Sequence, residues 1–166
     1  AEDIPVNDGF YRCLEYNAPE GSLINANYPA GVSARGGTVC RLNDVAMTAM
    51  ANLVSGRLPA APGGRGVVFF SGQGTGTGAG KAWVFLDYLG PGWGGRPNGD
   101  GVPGLSHPLV NAANIPVEAI EQQFPLRVTE YSLATDSVGA GMHASAASTV
   151  REYEVLSDNT TVNQEL

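Results

Sequence analysis

The 166-residue sequence has little cysteine, little positive charge and no long apolar run. Nine Lys and Arg residues stand against 16 Asp and Glu, which gives a net charge of −7, and the basic residues form no stripe. We therefore expect no nucleic acid partner, because binding one depends on clustered cations that displace counterions. We also expect no membrane partner, since no apolar stretch approaches the length of a membrane span.

The two cysteines, Cys13 and Cys40, are too few for a disulfide framework. We expect both to be small buried side chains in a reducing compartment, and hence a cytoplasmic protein. The sequence begins AEDIPVNDG without a Met. Such a start is expected of a processed or split subunit, or of a fragment.

Glycine is abundant instead, and fifteen of the 23 glycines lie between Pro62 and Gly104. Glycine lets backbones approach closely, and proline favours extended polyproline-like segments. Two apolar runs of strand length, 67–70 and 82–89, lie within this stretch. Since its core is too apolar for a linker, we predict an ordered, tightly packed, glycine-rich coil of polyproline-like character.

Elsewhere the patterns predict a mainly β protein of mixed α+β class with one amphipathic helix at about 39–54. Thr38 is the expected N-cap of this helix, after a Gly36-Gly37 breaker. The apolar residues that should form its buried face follow the helical period. They are Val39, Leu42, Val45, Ala46, Ala49, Met50, Leu53 and Val54.

A shorter helix is predicted at 117–123, closed by Phe124-Pro125. Alternation predicts strands at 9–18, 126–134 and 148–156. The polar tail, 157–166, is expected to fray. We therefore expect one domain over residues 1–156, followed by that tail.

The segment GQGTGTGAGKAW, from Gly72 to Trp83, invites comparison with a phosphate-binding loop. A Walker loop needs Gly five residues before the Gly-Lys pair and Ser or Thr after it. Thr75 and Ala82 occupy these positions, so the motif fails. We predict instead that Gly72 to Gly80 is extended against neighbouring backbone, with Lys81 at the surface and no nucleotide nearby.

Two polar segments stand out from the rest of the chain. SHPLVNAANIPVE, 106–118, places a His and two Asn residues in an otherwise apolar stretch, and TDSVGAG covers 135–141. Either segment could line a site. Alternatively, Asn111 and Asn114 tie down irregular backbone, and the second segment is a tight turn started by Asp136.

The order of several motifs resembles the hydantoinase B/oxoprolinase family. The matching stretches include APEGSLIN (18–25), GRPNGDG (95–101), NIPVE (114–118), PLRVTEYSL (125–133) and DSVGAG (136–141). The resemblance covers residues 4–156. Chains of this family are several times longer and begin with a further region that this sequence lacks. In the DSGGAG turn of the family, Val138 here replaces a Gly.

The resemblance implies a subunit or fragment of an ATP-dependent cyclic amide hydrolase or ketone carboxylase complex. A hydantoinase A-like partner would phosphorylate the substrate, and the hydantoinase B-like component would process the product. ATP would therefore bind to the partner and not to this chain. The partners expected are that ATP-binding protein and the remainder of the hydantoinase B-like component. The alternative is a non-catalytic structural subunit that completes the fold of such a complex.

The resemblance also covers the segment SHPLVNAANIPVE, 106–118, and it implies His107 and Asp136 as the candidate catalytic residues. Asn111, Asn114 and Arg96 are the candidate substrate-binding residues. His107 is also the candidate ligand of a divalent metal, the one cofactor considered for this chain, because an imidazole that titrates near neutrality suits both roles. Arg96, together with Asp100, is alternatively expected to brace its own loop.

Overall fold

The computed structural model describes residues 7–74 and 80–165, and the chain divides into two compact units. The first unit, Ala1–Ser33, contains the short helix α1 (Asp8–Tyr11). The side chain of Asn7 caps α1 by accepting the N–H of Gly9 at 3.0 Å. Further along, an isolated bridge joins Ser22 to Asn25.

The described part of the second unit, Ala34–Leu166, contains two helices. Helix α2 spans Arg35–Ala51 and helix α3 spans Val117–Gln123. Helix α3 has the predicted bounds. None of the helices in residues 7–74 and 80–165 combines the length and the apolar content that a membrane crossing requires.

Within residues 34–74 and 80–165, the strands form two antiparallel sheets. Strands β1 (Gly66–Gln73) and β2 (Ala82–Leu89) pair as a hairpin, and β5 (Thr161–Glu165) pairs with the other edge of β1. Strands β3 (Leu126–Leu133) and β4 (Thr149–Val155) form the second sheet. The molecule is therefore of mixed α+β class and mostly β, as predicted.

The core lies where the β1–β2 face meets α3 and the β3–β4 sheet. Its buried residues are Phe70, Phe85, Ile120 and Leu126. The rings of Phe85 and Phe124 lie 4.8 Å apart, and those of Phe70 and Tyr153 lie 5.0 Å apart. Burial of each such large apolar side chain stabilises the fold by about 1.5–3 kcal/mol relative to leaving it exposed.

Between β2 and α3 the backbone passes close to other segments. The N–H of Trp93 donates to the carbonyl of Val102 at 3.1 Å, and the N–H of Ala146 donates to the carbonyl of Trp93 at 2.9 Å. The N–H of Gly101 donates to the carbonyl of Ala144 at 2.8 Å. A Cβ atom at Gly101 would collide with the Trp93 carbonyl oxygen, so this contact requires glycine.

The segment from Gly72 to Gly80, which leads from β1 to β2, was predicted to be extended against neighbouring backbone. Gly72 and Gln73 belong to β1, and the N–H of Gly74 donates to the carbonyl of Lys81 at 2.7 Å. Lys81 is exposed, as predicted. The rest of that prediction concerns residues 75–79, which lie outside the described residues.

Two local predictions for the first 18 residues are wrong. The segment 9–18 is not a strand, because α1 occupies its start and irregular backbone follows. Tyr11, Leu14 and Tyr16 are all exposed, so their alternation with polar residues has no buried side. Cys13 is also exposed and only Cys40 is buried, and neither cysteine forms a disulfide.

The predicted details of α2 also need correction. The helix begins four residues earlier than expected, so Thr38 lies inside it, and its N-cap is Ala34 with no side-chain cap. Gly36 continues the helix instead of breaking it, and a Cβ atom there would collide with the Arg65 guanidinium. The predicted apolar face is largely exposed within this chain, and the buried positions of α2 are Cys40 and Asp44.

The C-terminal tail does not fray. Residues Thr161–Glu165 form β5, in which Val162 pairs with Phe70 and Asn163 pairs with Phe69. The prediction failed because the tail is polar, whereas its place in the fold depends on the unpaired edge of β1. Backbone hydrogen bonds to such an edge do not require apolar side chains.

Candidate functional site

A buried ion pair joins the two sheets of the second unit. On β2, alternation places Trp83, Phe85 and Asp87 on the inward face, so a carboxylate occupies a position that otherwise carries core residues. From β4, Arg151 donates through Nη1 to Asp87 Oδ1 at 2.9 Å. The two side chains are 1% and 3% exposed. Because two charges are buried here, each requires the other to offset the loss of hydration.

Neighbouring side chains complete this pair. Tyr153, two residues along β4, donates its hydroxyl to Asp87 Oδ2 at 2.6 Å. Arg151 Nη2 donates to the side-chain oxygen of Asn114. The guanidinium of Arg151 also lies 4.1 Å from the ring centre of Tyr131 on β3, within the range of a cation–π contact.

The environment shifts the pKa of two of these groups upward. Burial, followed by the hydrogen bond to Asp87, raises the pKa of Tyr153 far above its usual value. Burial alone would lower the pKa of Arg151, but the hydrogen bond with Tyr153 and the charge of Asp87 outweigh this effect. Both shifts favour a protonated Tyr153 and a charged Arg151 at neutral pH.

A small pocket of about 30 Å³ opens beside Arg151. Its lining includes Ser106, Asn114 and Tyr131. The lining residues belong to the end of β2, to the segment before α3 and to the β3–β4 sheet. Arg151 Nε is buried, and within the described part of the chain it has no hydrogen-bond partner. The pocket is therefore lined by a charged side chain that has one N–H without a partner in the described chain.

A second buried pair lies at His107, which is 0% exposed. His107 Nε2 and Asp44 Oδ1 are 3.0 Å apart, and the N–H of Leu109 donates to His107 Nδ1 at 3.3 Å. Because Nδ1 accepts, the proton of a neutral ring lies on Nε2 and points to Asp44. The N–H of His107 donates to the hydroxyl of Tyr88 at 3.1 Å, which fixes the start of this loop.

The surroundings of the pair contain a thiol and two arginines. Burial raises the pKa of the Cys40 thiol, an effect that the charge of Arg65 partly offsets. Arg41 lies 3.5 Å from Asp44, and Arg65 lies 3.6 Å from Glu165. A groove of about 260 Å³ runs between the two arginines, but each of them already faces a carboxylate of this chain.

The structure brings only part of the predicted site together. Asn114 lines the pocket, whereas Asn111, Asp136 and Arg96 do not. Asn111 and Asp136 are exposed and have positive φ values of 48° and 55°, a conformation that Asn and Asp tolerate in turns. Arg96 Nε donates to the carbonyl of Asp100 at 2.8 Å within its own loop. Their predicted roles in binding and catalysis stay predictions.

The metal-binding role of His107 also stays a prediction. Among residues 7–74 and 80–165, no group of three or more His, Cys, Asp or Glu side chains is placed to hold a metal ion. His107 could ligate a metal only through a ring nitrogen released from Asp44 or from the N–H of Leu109. Ligands from outside the described residues would have to complete such a site.

Comparison with known proteins gives the relationship of this chain to others. The model of the family described as hydantoinase B/oxoprolinase matches residues 1–165. The chain belongs to the hydantoinase B/oxoprolinase family. This confirms the resemblance drawn from its motifs, and it extends the match over nearly the whole chain. No solved structure matches the chain.

Relatives of this family member include bacterial, archaeal and plant proteins. It is 33% identical over 156 residues to a protein of Pseudomonas sp. (strain NS671) that is named as the B-type component of a D-/L-hydantoinase. It is 37% identical over 159 residues to an uncharacterised protein of Methanocaldococcus jannaschii, and 27% identical over 155 residues to 5-oxoprolinase 1 of Arabidopsis thaliana.

These alignments cover most of the chain but little of the relatives. They include 94%, 94% and 92% of this chain, and 26%, 27% and 11% of the respective relatives. The hydantoinase B-like chain thus spans about a quarter of the length of the first two relatives. The remainder of each relative has no counterpart in it.

Sequence reasoning missed Arg151, Tyr153 and Asp44 as members of a site in this hydantoinase B-like chain. A signal for the first two was present in the alternation of the strands. Asp87 lies on the inward face of β2, and Arg151 and Tyr153 lie on the same face of β4. A charged residue in phase with core residues indicates a buried partner on another element. Asp44 gave no such signal, since it lies outside the apolar face predicted for α2.

Proposed function

We propose that this chain is part of the hydantoinase B-like component of an ATP-dependent complex that acts on cyclic amides or ketones. A hydantoinase A-like protein binds ATP and phosphorylates the substrate. The component that contains this chain then processes the activated compound. We expect the reaction to be hydrolysis of a cyclic amide, and carboxylation of a ketone is the alternative reaction.

The family match over residues 1–165 is the observation that carries this proposal. The names of two relatives, a D-/L-hydantoinase component and a 5-oxoprolinase, support the cyclic amide class, and the first of them also supports a multi-subunit assembly. Since the chain covers about a quarter of the hydantoinase relative, we propose that the remainder of the component is needed for activity.

Within this chain, the candidate catalytic groups remain His107 and Asp136, and the candidate binding groups remain Asn111, Asn114 and Arg96. Asn114 has the strongest support, because it lines the pocket and contacts Arg151. A catalytic or metal-binding His107 requires that its ring move away from Asp44 or Leu109. A divalent metal therefore stays a candidate cofactor.

Reconstitution tests the proposal. The chain is combined with a hydantoinase A-like protein and the remainder of the component, and ATP consumption is measured with hydantoin, with 5-oxoproline and with acetone plus bicarbonate. We expect ATP-dependent ring opening of one of the cyclic amides. Failure of all three substrate sets in an assembled complex would contradict the proposal.

The role of His107 is tested in the same complex with two substitutions. His107→Gln keeps a side-chain donor for Asp44 but lacks an imidazole, whereas His107→Ala loses both. If the imidazole transfers a proton, both variants lose about 10²–10⁴-fold in turnover. If His107 only fixes its loop, His107→Gln retains activity. The matched control is His143→Gln, since the His143 side chain is part-exposed and lies 3.8 Å from Asp100.

A second candidate function is a structural subunit without catalytic groups of its own. Its support is the apolar face of α2, which is exposed within this chain: Val39 is 47%, Val45 is 68% and Met50 is 51% exposed. Apolar surface of this kind is typical of chains that pack against a partner. A chain that stays monomeric in solution and does not associate with the other subunits would contradict this candidate.

A further inference from the structure

Arg151 offers more hydrogen-bond donors than its neighbours use. An arginine has five N–H groups in a planar fork. Nη1 serves Asp87 and, at 3.5 Å, the oxygen of Tyr153, while Nη2 serves Asn114. Nε has no partner within the described residues, although the side chain is 1% exposed. Buried donors are almost always paired with protein, water or a ligand.

The side chain that carries this donor, Arg151, lines a space of limited size. The pocket beside Arg151 has a volume of about 30 Å³, enough for a water molecule or for the oxygen of a larger ligand. Ala112, Ala113 and Asn114 form part of its lining, and all three are exposed. A ligand could therefore insert one polar group here while most of it lies outside the pocket.

The charges around the pocket favour a neutral acceptor. Arg151 is the one ionisable cation among the residues that line it in the described part of the chain, and its charge already faces Asp87 at 2.9 Å. A carboxylate or phosphate would bring a second negative charge with no cation left to balance it. A carbonyl oxygen accepts the Nε–H without this penalty.

The neighbouring donor already holds an acceptor of this kind. Nε and Nη2 lie on the same edge of a guanidinium group, and Nη2 donates to the amide oxygen of Asn114. The edge therefore accommodates a neutral amide oxygen at one of its two positions. A second carbonyl oxygen at Nε would complete the paired geometry that arginine offers on this edge.

We propose that Arg151 is a substrate-binding residue whose Nε–H donates to a neutral carbonyl oxygen of a cyclic amide or ketone. This inference rests on the proposed function for its substrate class. Asp87 and Tyr153 act as positioning residues, because they orient the guanidinium from the opposite side. Asn114 holds the adjacent Nη2 and forms part of the pocket wall.

Nuclear magnetic resonance tests the contact directly in the full chain. The Arg151 Nε–H signal, assigned by its absence in Arg151→Lys, is followed as 2-pyrrolidinone or acetate is added. We expect a saturable shift with 2-pyrrolidinone and none with acetate. The signal of Arg127, an exposed arginine paired with Glu154, should not move with either probe. No response to 2-pyrrolidinone, as for a pocket that holds only water, overturns the proposal, and so does an equal response to acetate.

A second variant separates Arg151 from Asn114. Asn114→Ala leaves the Arg151–Asp87 pair intact, so we expect the chain to fold and the Nε–H response to persist with weaker affinity, since Asn114 forms part of the pocket wall. Loss of the response in Asn114→Ala would assign the contact to Asn114 and overturn the proposal. If Arg151→Lys does not fold, the Nε–H signal is assigned in the wild-type chain through its bonds to the Arg151 backbone, so the measurement remains decisive.

Kinetics in the reconstituted complex gives an independent readout. Losing a hydrogen bond from a charged donor corresponds to about a ten- to hundredfold change. We expect Arg151→Lys to raise KM by this factor with a smaller change in kcat, whereas an unchanged KM would contradict the proposal. If the wild-type complex turns over none of the substrates, only the proposed function is refuted. The resonance measurement still decides whether Arg151 binds a carbonyl group.

Discussion

Tyr153 on β4 donates its hydroxyl to Asp87 on β2 across 2.6 Å, and this contact joins the two sheets at a buried carboxylate. Arg151 occupies the other oxygen of Asp87 at 2.9 Å. Both carboxylate oxygens therefore have a strong donor, as burial of a charge requires. Asp87 and Tyr153 hold the Arg151 guanidinium beside the pocket, so the stability of this region and the proposed binding site depend on one arrangement.

Removing the charge of Asp87 should destabilise the chain strongly. In Asp87→Asn, Arg151 stays buried without a counter-charge, and the new amide N–H₂ faces a donor. We expect the free energy of unfolding to fall by about 3–5 kcal/mol. Urea denaturation followed by circular dichroism measures this loss.

The matched control is Glu154→Gln, which neutralises the partner of Arg127 on the exposed side of β4. The two side chains of this pair, Arg127 and Glu154, are 58% and 50% exposed, so their interaction is screened by water. We expect this change to cost about 1 kcal/mol or less. Equal losses in the two variants would show that burial of the Asp87–Arg151 pair has no special energetic role.

Tyr153 should make the chain sensitive to alkaline pH. Its pKa is raised in the folded state by burial and by the hydrogen bond to Asp87, whereas an unfolded tyrosine ionises near pH 10. The folded state therefore keeps a proton that the unfolded state loses. Stability from this group is complete below about pH 10 and falls as the pH rises further.

Tyr153→Phe separates this effect from the rest of the chain. At neutral pH the variant should lose about 1.5–3 kcal/mol, because a hydrogen bond to a carboxylate is lost. Above about pH 10 its stability should decline less steeply than that of the wild type. The slope of stability against pH should become shallower but should not vanish, since burial raises the pKa of Tyr88 as well. In the control Tyr16→Phe, at a position that is 77% exposed, the slope should be that of the wild type.

The elements that depend on local pattern could be predicted from the sequence. Helix α3 and strands β2, β3 and β4 agree with their predictions to within one residue at each end, because each has a buried or half-buried side that its own residues encode. The failures at 9–18 and in the tail have a common cause. Alternation near Tyr11 has no neighbouring sheet, whereas β5 forms because β1 offers an edge far away in the sequence.

The site was harder to predict than the fold. Asn114 could be identified from the sequence because it is a polar residue in an otherwise apolar segment. In the structure it lines the pocket. Arg151 could not be paired with Asp87, since the two residues are 64 positions apart and the pairing depends on how two sheets meet. His107 was recognisable as an unusual residue, but its burial against Asp44 depends on the packing of α2.

The glycine-rich stretch allows a sharp test of close backbone packing. A Cβ atom at Gly101 would collide with the carbonyl oxygen of Trp93 and would lie 2.7 Å from the backbone nitrogen of Ala146. Gly101→Ala must therefore push two backbone segments apart, and these segments carry the hydrogen bonds from Gly101 to Ala144 and from Ala146 to Trp93. Because overpacking and lost hydrogen bonds add, we expect a loss of about 2–4 kcal/mol.

Gly37→Ala is the matched control for this substitution. Gly37 lies inside α2, and nothing is found within 4 Å of a Cβ atom placed there. Alanine is favoured over glycine by about 0.5–1 kcal/mol in a helix interior, so this variant should be more stable than the wild type. Thermal unfolding of both variants measures the opposite shifts. If Gly101→Ala also raised the melting temperature, the close approach between residues 93, 101 and 146 would not exist in solution.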